Sequence, residues 1–485
     1  MPHTPINQSE INKAVWNACD TFRGTVDPSI YKDFILTMLF LKYISDVHQD
    51  KVEELKKEFG DIPELITEML ESQSFKIPQG SSFWDLYEKR FEAGNGSRID
   101  TALHTIEEAN IKLKSVFQDI SFNTDKLGDE KQKNDILRHL LEDFGKPTLS
   151  LRPSRVGSLD VIGNAYEYLI KHFAAGSGKS AGEFYTPAEV SDLLSIILAP
   201  QEGDTICDPA CGSGSLLMKC GKQVQKNFNG SKKYALYGQE AIGSTWSLAK
   251  MNMFLHGEDN HRIEWGDTIR NPKLLDKNGD LMLFDVVTAN PPFSLDKWGH
   301  EEAEHDKFSR FRRGIPPKTK GDYAFILHMI ETLKPHSGRM GVVVPHGVLF
   351  RGSSEGQIRQ KLIEENLLDA VIGLPEKLFY GTGIPAAILI FKKHKVDDNV
   401  LFIDASRECK AGKNQNQLSD ENIAKIVATY RNGDNVDKYA YLASLQEIRD
   451  NDYNLNIPRY VDTFEEEEEI DLLAVRAERE QLKAR

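Results

Sequence analysis

Residues 204–215 carry the stretch that decides the fold, Asp-Thr-Ile-Cys-Asp-Pro-Ala-Cys-Gly-Ser-Gly-Ser. Its apolar start predicts a buried strand that ends at Asp208, and residues 216–228 predict an amphipathic helix. The two glycines let the backbone approach a ligand where a Cβ would collide. The helix that follows offers free N–H groups to that ligand. The stretch therefore predicts a ligand-binding loop between a strand and a helix.

Outward from this loop, short apolar runs alternate with amphipathic stretches over some 200 residues after Arg155. The runs predict buried strands at Thr205–Cys207, Tyr234–Tyr237, Phe284–Thr288, Met340–Val344, Asp369–Ile372 and Ala387–Phe391. Helices are predicted at Glu189–Leu198, Leu216–Phe228, Ser244–Leu255, Ala324–Leu333 and Glu355–Asn366. This alternation predicts an α/β fold whose mostly parallel sheet is covered on both faces and binds ligands at the carboxyl ends of its strands.

The α/β region lies between two regions of helical pattern. We expect an N-terminal helical domain at residues 1–150, the α/β domain at 151–410 and a C-terminal helical extension at 411–485. The last of these ends in the acidic run Glu465–Glu469 and an apolar stripe at helical spacing. The stripe favours a helix that docks on a partner over a free charged tail.

The composition is acidic and otherwise ordinary for a globular protein. Lys and Arg number 60 and Asp and Glu 74, a formal charge of −14, with 40% hydrophobic residues. The longest apolar run, Phe34–Leu41, is far shorter than the ~20 residues of a membrane span, and the N-terminus has no signal-peptide pattern. Five cysteines, an odd number, favour the reducing cytoplasm. The negative charge argues against a chain that grips DNA by itself.

The glycine loop differs from the dinucleotide fingerprint because Leu217 stands at the place of the third glycine. Glu240 ends the next predicted strand, and an acid at this offset commonly binds a ribose diol. A glycine turn and a ribose acid without a phosphate cradle fit a nucleoside ligand such as S-adenosylmethionine. The alternative is a purely structural turn, so the loop indicates a cofactor site only together with the other residues of that site.

Two other patterns resemble an ATP-binding motif and a metal-binding motif but lack required residues. Gly178-Lys179-Ser180 resembles the end of a P-loop, but Phe173 stands where its glycine is required. Cys207 and Cys211 lie close together, but no second Cys/His pair follows at zinc spacing. We therefore predict neither an ATP site nor a metal site.

Residues 285–293, Asp-Val-Val-Thr-Ala-Asn-Pro-Pro-Phe, are the most specific feature. Two prolines cannot continue a central strand, so the turn projects Asn290 and Phe293 from the sheet edge. The exocyclic amine of a base is a poor nucleophile because its lone pair is delocalised into the ring. Oxygens of Asn290 and Pro291 that accept its N–H bonds would free that lone pair, while Phe293 stacks on a flipped base.

Together these residues resemble the N6-adenine DNA methyltransferases, and among them the modification (M) subunit of type I restriction–modification systems. The resemblance covers most of the chain. It rests on Gly182–Pro187, Asp208–Ser215, Gly238–Glu240, Gly266-Asp267, Asn290–Phe293 and Asp452–Tyr460, together with the helical N-terminal region. It implies a Rossmann-like methyltransferase sheet that uses S-adenosylmethionine.

The resemblance also implies roles for particular residues. The catalytic turn would be Asn290, Pro291, Pro292 and Phe293. The cofactor would be held by Glu183, Phe184, Tyr185, Thr186, Pro187, Ala188, Asp208, Ser213, Gly214, Ser215, Glu240 and Asp267, with a helix N-cap as the equal alternative for Asp267. The basic stretch Lys307–Lys320 is expected to contact phosphates near the flipped base rather than to be a solvated loop.

The function implied is methylation of adenine N6 at a specific site in double-stranded DNA, which protects host DNA, within a complex. The partners would be a specificity (S) subunit and a restriction (R) subunit, with two methylase chains per S subunit and no membrane. A stand-alone adenine methyltransferase is the alternative, but it needs a recognition domain of about 100–200 residues, for which the C-terminal region is too short. A scaffold without activity is disfavoured because the catalytic turn and Glu240 are intact.

Overall fold

A computed structural model describes residues 7–22, 26–71, 73–156, 159–176, 186–379, 383–413 and 415–463. Within these residues nine strands form one sheet in the order β3-β2-β1-β4-β5-β7-β6-β8-β9. The strands are β1 Thr205–Asp208, β2 Ala235–Glu240, β3 His261–Trp265, β4 Val286–Ala289, β5 Arg339–Pro345, β6 Leu368–Gly373, β7 Ala386–Lys392, β8 Val400–Asp404 and β9 Ala440–Ala443.

The helices fall into an N-terminal group and a group that covers the sheet. The first are α1 Gln8–Ala18, α2 Pro28–Phe59, α3 Pro63–Leu70, α4 Phe83–Glu88, α5 Asn95–Ala109, α6 Glu130–Phe144, α7 Pro153–Val156 and α8 Leu159–Gly176. The second are α9 Ala188–Leu198, α10 Ser215–Asn227, α11 Gly243–Leu255, α12 Asp322–Glu331, α13 Ser353–Glu364, α14 Asp420–Asn432 and α15 Leu445–Asp450. No helix of the described residues is long and apolar enough to cross a membrane.

Strands β1 to β5 pair in parallel, and β7 runs antiparallel between β5 and β6. Both faces of the sheet are buried, as its apolar strands predict. Val342 and Val344 of β5 lie in the core beneath α12 and α13, whereas Val343 lies in the core of the other face with α9 and α14. The predicted fold class, a Rossmann-like α/β sheet with a helical N-terminal region, is confirmed.

Three strands have no counterpart in the sequence prediction. Strand β3 has one buried residue, Ile263, because it forms an edge of the sheet. Strands β8 and β9 extend the opposite edge, where β9 pairs antiparallel with β8. Thus the region expected to be helical after residue 410 also contributes a strand, and its last residues, 464–485, lie outside the described residues.

The N-terminal helices share one continuous hydrophobic core with the sheet domain. The ring of Phe254 on α11 lies 5.3 Å from Phe75 and 6.5 Å from Phe40. Tyr166 of α8 donates a hydrogen bond to the carbonyl of Leu248. The expected boundary at residue 150 stays a prediction, but α8 packs against helices of both sides of it.

Candidate active site

The two loops singled out in the sequence leave neighbouring strands at the same edge of the sheet. Strand β1 pairs with β2 on one side and with β4 on the other, so the chain reverses direction across the sheet at β1 and β4. Ligands of open α/β sheets bind outside the carboxyl ends of the strands at such a switch point. The loop after Asp208 and the turn after Ala289 both start there.

The glycine loop depends on its two glycines. Gly212 has φ +54° and Gly214 has φ +79°, in the left-handed region that disfavours other residues. A Cβ on Gly214 would lie 2.6 Å from Cε of Met253. The positive φ of both glycines therefore sets the shape of the loop, and a side chain at Gly214 would in addition displace the end of Met253.

Glu240 fixes the loop from the next strand. One carboxylate oxygen accepts a hydrogen bond from the Gly212 N–H at 3.0 Å and the other from the Ile242 N–H at 2.9 Å. The hydroxyls of Ser213 and Ser215 lie 3.0 Å apart, and the amide of Asn252 donates to the Ser213 carbonyl. The structure therefore brings four predicted cofactor residues together around one loop: Ser213, Gly214, Ser215 and Glu240.

Asp208 adds a second buried acid beneath the loop. It is 2% exposed, and its Oδ1 accepts a hydrogen bond from the Ala210 N–H at 2.9 Å. Burial, reinforced by the charge of Glu240, raises the pKa of Asp208 to about 8. Burial also raises the pKa of Glu240. Two desolvated acids beside an open glycine loop suit a ligand that carries positive charge, such as the sulfonium and ammonium groups of S-adenosylmethionine.

The Asn-Pro-Pro-Phe turn leaves β4 with one oxygen free for a substrate. The side-chain amide of Asn290 donates to Oγ1 of Thr186 at 3.1 Å, which orients the amide. Its Oδ1 is buried and has no hydrogen-bond partner among the described residues. A buried acceptor without a partner is costly, and an amino group at this position would supply the missing donor.

Phe293 completes the turn as a partly exposed aromatic surface. Its ring packs edge-on against Phe379, with ring centroids 5.9 Å apart. The remaining accessible surface of the ring is available for stacking.

The structure describes only some of the other predicted cofactor residues. Glu183, Phe184 and Tyr185 lie outside the described residues. Pro187 and Ala188 form the start of α9, and Thr186 reaches the site through Asn290. Oδ1 of Asp267 accepts hydrogen bonds from the N–H groups of Ile269 and Arg270, so this side chain caps the turn after β3.

Two features of the site were missed by the sequence reasoning. Gln239 donates to the carbonyls of Gly266 and Asn271 and accepts from the Lys273 N–H, which anchors the loop after β3. Ile242 and Trp265 are more than two-fifths exposed at the carboxyl ends of β2 and β3. The available signal was a large apolar residue close to the end of a strand, Ile242 two positions after Glu240 and Trp265 as the last residue of β3.

The basic stretch Lys307–Lys320 corrects one expectation. Arg310 is buried and bonded to Asp306 and to the carbonyls of Thr268 and Ile269. Arg313 is buried between Glu331 and Glu365. These two cations stabilise the fold and are not accessible to phosphates, so only the four others of the stretch, Lys307, Arg312, Lys318 and Lys320, could contact DNA.

No cluster of metal-ligating side chains occurs in the described part of the chain. The sheet, its glycine loop and the neighbouring Asn-Pro-Pro-Phe turn define the class: a Rossmann-like methyltransferase built to act on an amino group.

Comparisons with known proteins extend this assignment. Residues 157–469 match the N-6 DNA Methylase family and residues 11–144 the HsdM N-terminal domain. The chain is 35% identical over 469 residues to the type I restriction enzyme MjaVIII methylase subunit of Methanocaldococcus jannaschii, covering 93% of this chain and 78% of that protein. It is 31% identical over 502 residues to the MpnII methylase subunit of Mycoplasma pneumoniae, covering 95% and 91%.

A solved structure gives the same result. The methyltransferase subunit of a type I restriction-modification system from Streptococcus thermophilus matches with a TM-score of 0.84 at 36% identity, over 94% of this chain and all of that one. The chain belongs to the N-6 DNA methylase family, among the methylase subunits of type I restriction enzymes. These comparisons confirm the predicted family and the predicted activity class, an adenine-specific DNA methyltransferase. They also confirm that the chain is a subunit of a type I restriction enzyme and not a stand-alone methyltransferase.

Proposed function

We propose that the glycine loop and the Asn290–Phe293 turn together methylate adenine N6 in DNA with S-adenosylmethionine as methyl donor. The observation that carries this proposal is the buried Oδ1 of Asn290 at the switch point of the sheet, for which the described part of the chain offers no donor. When bound, S-adenosylmethionine supplies an electrophilic methyl group. Every other part of the reaction falls to residues of this chain.

The cofactor would occupy the carboxyl ends of β1 and β2. Glu240 would accept hydrogen bonds from the ribose hydroxyls, and Asp208 with the Ser213–Ser215 loop would surround the charged methionine part. Ile242 and Trp265 would provide apolar surface for the adenine ring, because they are exposed beside Glu240. For Glu183, Phe184, Tyr185, Thr186, Pro187, Ala188 and Asp267 the predicted cofactor role stays a proposal.

The target base would lie against the other loop after leaving its helix. Asn290 Oδ1 and the Pro291 carbonyl would accept hydrogen bonds from the two N–H groups of the exocyclic amine, which localises the lone pair of its nitrogen. The nitrogen would then gain the methyl carbon as the carbon–sulfur bond of the sulfonium breaks, and the amine would give up one N–H proton to solvent. Phe293 would stack on the base. Pro291 and Pro292 restrict the backbone, so that both acceptors are in place before reaction.

Other subunits would supply the grip on DNA that a chain with a formal charge of −14 lacks. We propose a specificity subunit that reads the site, a restriction subunit, and two methylase chains per specificity subunit. The relatives are named as subunits of type I restriction enzymes, which supports such an assembly.

The test is an Asn290→Ala variant, assayed with labelled S-adenosylmethionine and DNA in the presence of the specificity subunit. We expect methylation to fall by at least about a thousandfold, since an amine acceptor oriented before reaction is lost, while cofactor affinity stays within about twofold. Thr186→Val removes the bond that orients the Asn290 amide but keeps the Asn290 oxygen, so it should lower turnover less. Comparable turnover in Asn290→Ala and the wild type would refute the mechanism.

A further inference from the structure

The exit of the catalytic turn is held by a residue that the sequence motifs do not include. Ser294 follows Phe293 directly and has φ +52°, in the left-handed region. Its N–H donates to Oδ1 of Asp322, the first residue of α12, at 2.8 Å. Asp322 is 3% exposed. A non-glycine residue keeps such a conformation only where its surroundings impose it, and here Asp322 does so.

Asp322 in turn depends on Arg351. Nη2 of Arg351 donates to the second oxygen of Asp322 at 2.6 Å, and Nε donates to Glu355, which is 1% exposed, at 2.6 Å. Two buried carboxylates require a cation between them. Arg351 lies in the loop after β5, the strand that pairs with β4, so it reaches the turn from the adjacent strand.

A buried arginine connects this loop to the C-terminal part of the chain. Arg359 of α13 donates from Nη1 to the carbonyl of Arg351 at 3.0 Å and from Nε to the carbonyl of Tyr453 at 2.7 Å. Asp452 and Tyr453 are also left-handed, with φ +54° and +53°. The Asp452–Tyr460 segment, noted in the sequence but without a role in the site, therefore packs on the loop that carries Arg351.

We propose that Asp322 and Arg351 are positioning residues for the catalytic turn and that Arg359 fixes them to the Asp452–Tyr460 segment. The proposal rests on the proposed function, in which Asn290 acts on the target amine. Acceptors for that amine must hold their position within about 0.5 Å. The contacts from Ser294 through Asp322 and Arg351 to Arg359 set this position, so these residues would act through the turn and not on the base.

The first test compares Asp322→Ala and Asp322→Asn in the complex that methylates DNA. We expect Asp322→Ala to lower kcat about a hundredfold through misplacement of the turn, with KM for DNA and cofactor affinity within about twofold. Asp322→Asn keeps an acceptor for the Ser294 N–H and should recover part of kcat. With 2-aminopurine at the target position, the fluorescence of the flipped base should persist in both variants.

The matched control is Glu331→Gln. Glu331 lies on the same helix and pairs with Arg312 and Arg313, away from the turn, so its variant should keep the wild-type kcat. Wild-type kcat in Asp322→Asn and in any folded Asp322→Ala would overturn the proposal. If Asp322→Ala does not fold, a lowered kcat in Asp322→Asn with unchanged cofactor affinity supports it.

The second test is a double-mutant cycle between Arg359→Met and Asp322→Ala, or Asp322→Asn if the alanine variant does not fold. Each single variant should lower kcat, and the double variant should be no slower than the slower single variant, because both act through one chain of contacts. Effects that multiply would refute the connection. Asn290→Ala in the same assay separates the two proposals. Activity of Asn290→Ala would refute the proposed function. Its inactivity, beside wild-type kcat in Asp322→Asn and in any folded Asp322→Ala, would refute only the positioning role.

Discussion

Among single residues, Asp208 makes the stability of the ligand-free protein depend on pH. Its pKa of about 8 in the fold exceeds the ordinary value of 3.8 because the carboxyl group is buried. Between these two pH values the folded state holds a proton that the unfolded state has lost. The stability of the ligand-free protein must therefore fall as pH rises from about 4 to about 8, and change little from this source above that range.

An Asp208→Asn variant tests this sign. Because the amide does not titrate, the melting temperature of wild type relative to the variant should decline between about pH 5 and pH 8. Scanning calorimetry over that range measures the difference in melting temperature between the two proteins. Other titrating groups contribute equally to both proteins, so their effect cancels in this difference. Parallel curves for the two proteins would show that Asp208 is already ionised in the fold.

At the scale of elements, the loop between β1 and α10 owes its shape to positions where only glycine fits. Gly203, just before β1, has a similar φ of +86°, but a Cβ there would meet nothing within 4 Å. Gly214 combines a positive φ with the contact to Met253. Because Gly203 lies outside the loop and Gly214 within it, the two glycines separate a general effect of backbone strain from an effect on the cofactor loop.

We expect Gly214→Ala to weaken S-adenosylmethionine binding by about tenfold, since an alanine strains the left-handed conformation at φ +79° that shapes the loop. Its contact with the terminal methyl group of Met253 can be relieved by that flexible side chain. Gly203→Ala should cost about 1–2 kcal/mol of stability through strain alone and leave the affinity unchanged. Titration calorimetry gives the affinities and thermal unfolding the stabilities. Equal affinities in the two variants would argue that the cofactor does not occupy this loop.

For the whole molecule, the shared core joins the N-terminal helices to the methyltransferase sheet, while the described fold ends at Thr463. Val461 is buried, and Arg407 donates to the Thr463 carbonyl. The last 25 residues, 461–485, carry the apolar stripe that we expect to dock on a partner, and the first three of them belong to the body of the protein. A truncation should therefore begin at residue 464.

Removal of residues 464–485 should leave the chain folded and weaken its association with the specificity subunit by at least about tenfold, because the apolar stripe from Ile470 to Ala477 is lost. Removal of residues 478–485 alone is the control and should preserve association. Sedimentation of mixtures of the two proteins measures both. If the variant that lacks residues 464–485 binds the specificity subunit as tightly as the full chain does, the interface lies elsewhere.

The sequence by itself determined the class of fold and the two loops of the site. Buried parallel strands are apolar runs, and the glycine loop and the Asn-Pro-Pro-Phe turn are contiguous, so their local chemistry is visible without distant contacts. The edge strands β3 and β9 were not predicted, because partly exposed edges carry a weak apolar pattern. Strand β8 lies between β6 and β9 and is buried over residues 400–403, so it was missed although its apolar run is visible in the sequence.

Only the tertiary structure decided which side chains serve the site and which serve the fold. It buried Arg310 and Arg313 in ion pairs, although the sequence shows them as part of a basic stretch. It brought Thr186 to Asn290 across 104 positions and Asp322 to Ser294 across 28. Such contacts join segments far apart in the chain, and their geometry follows from the order and register of the strands, which no local pattern encodes.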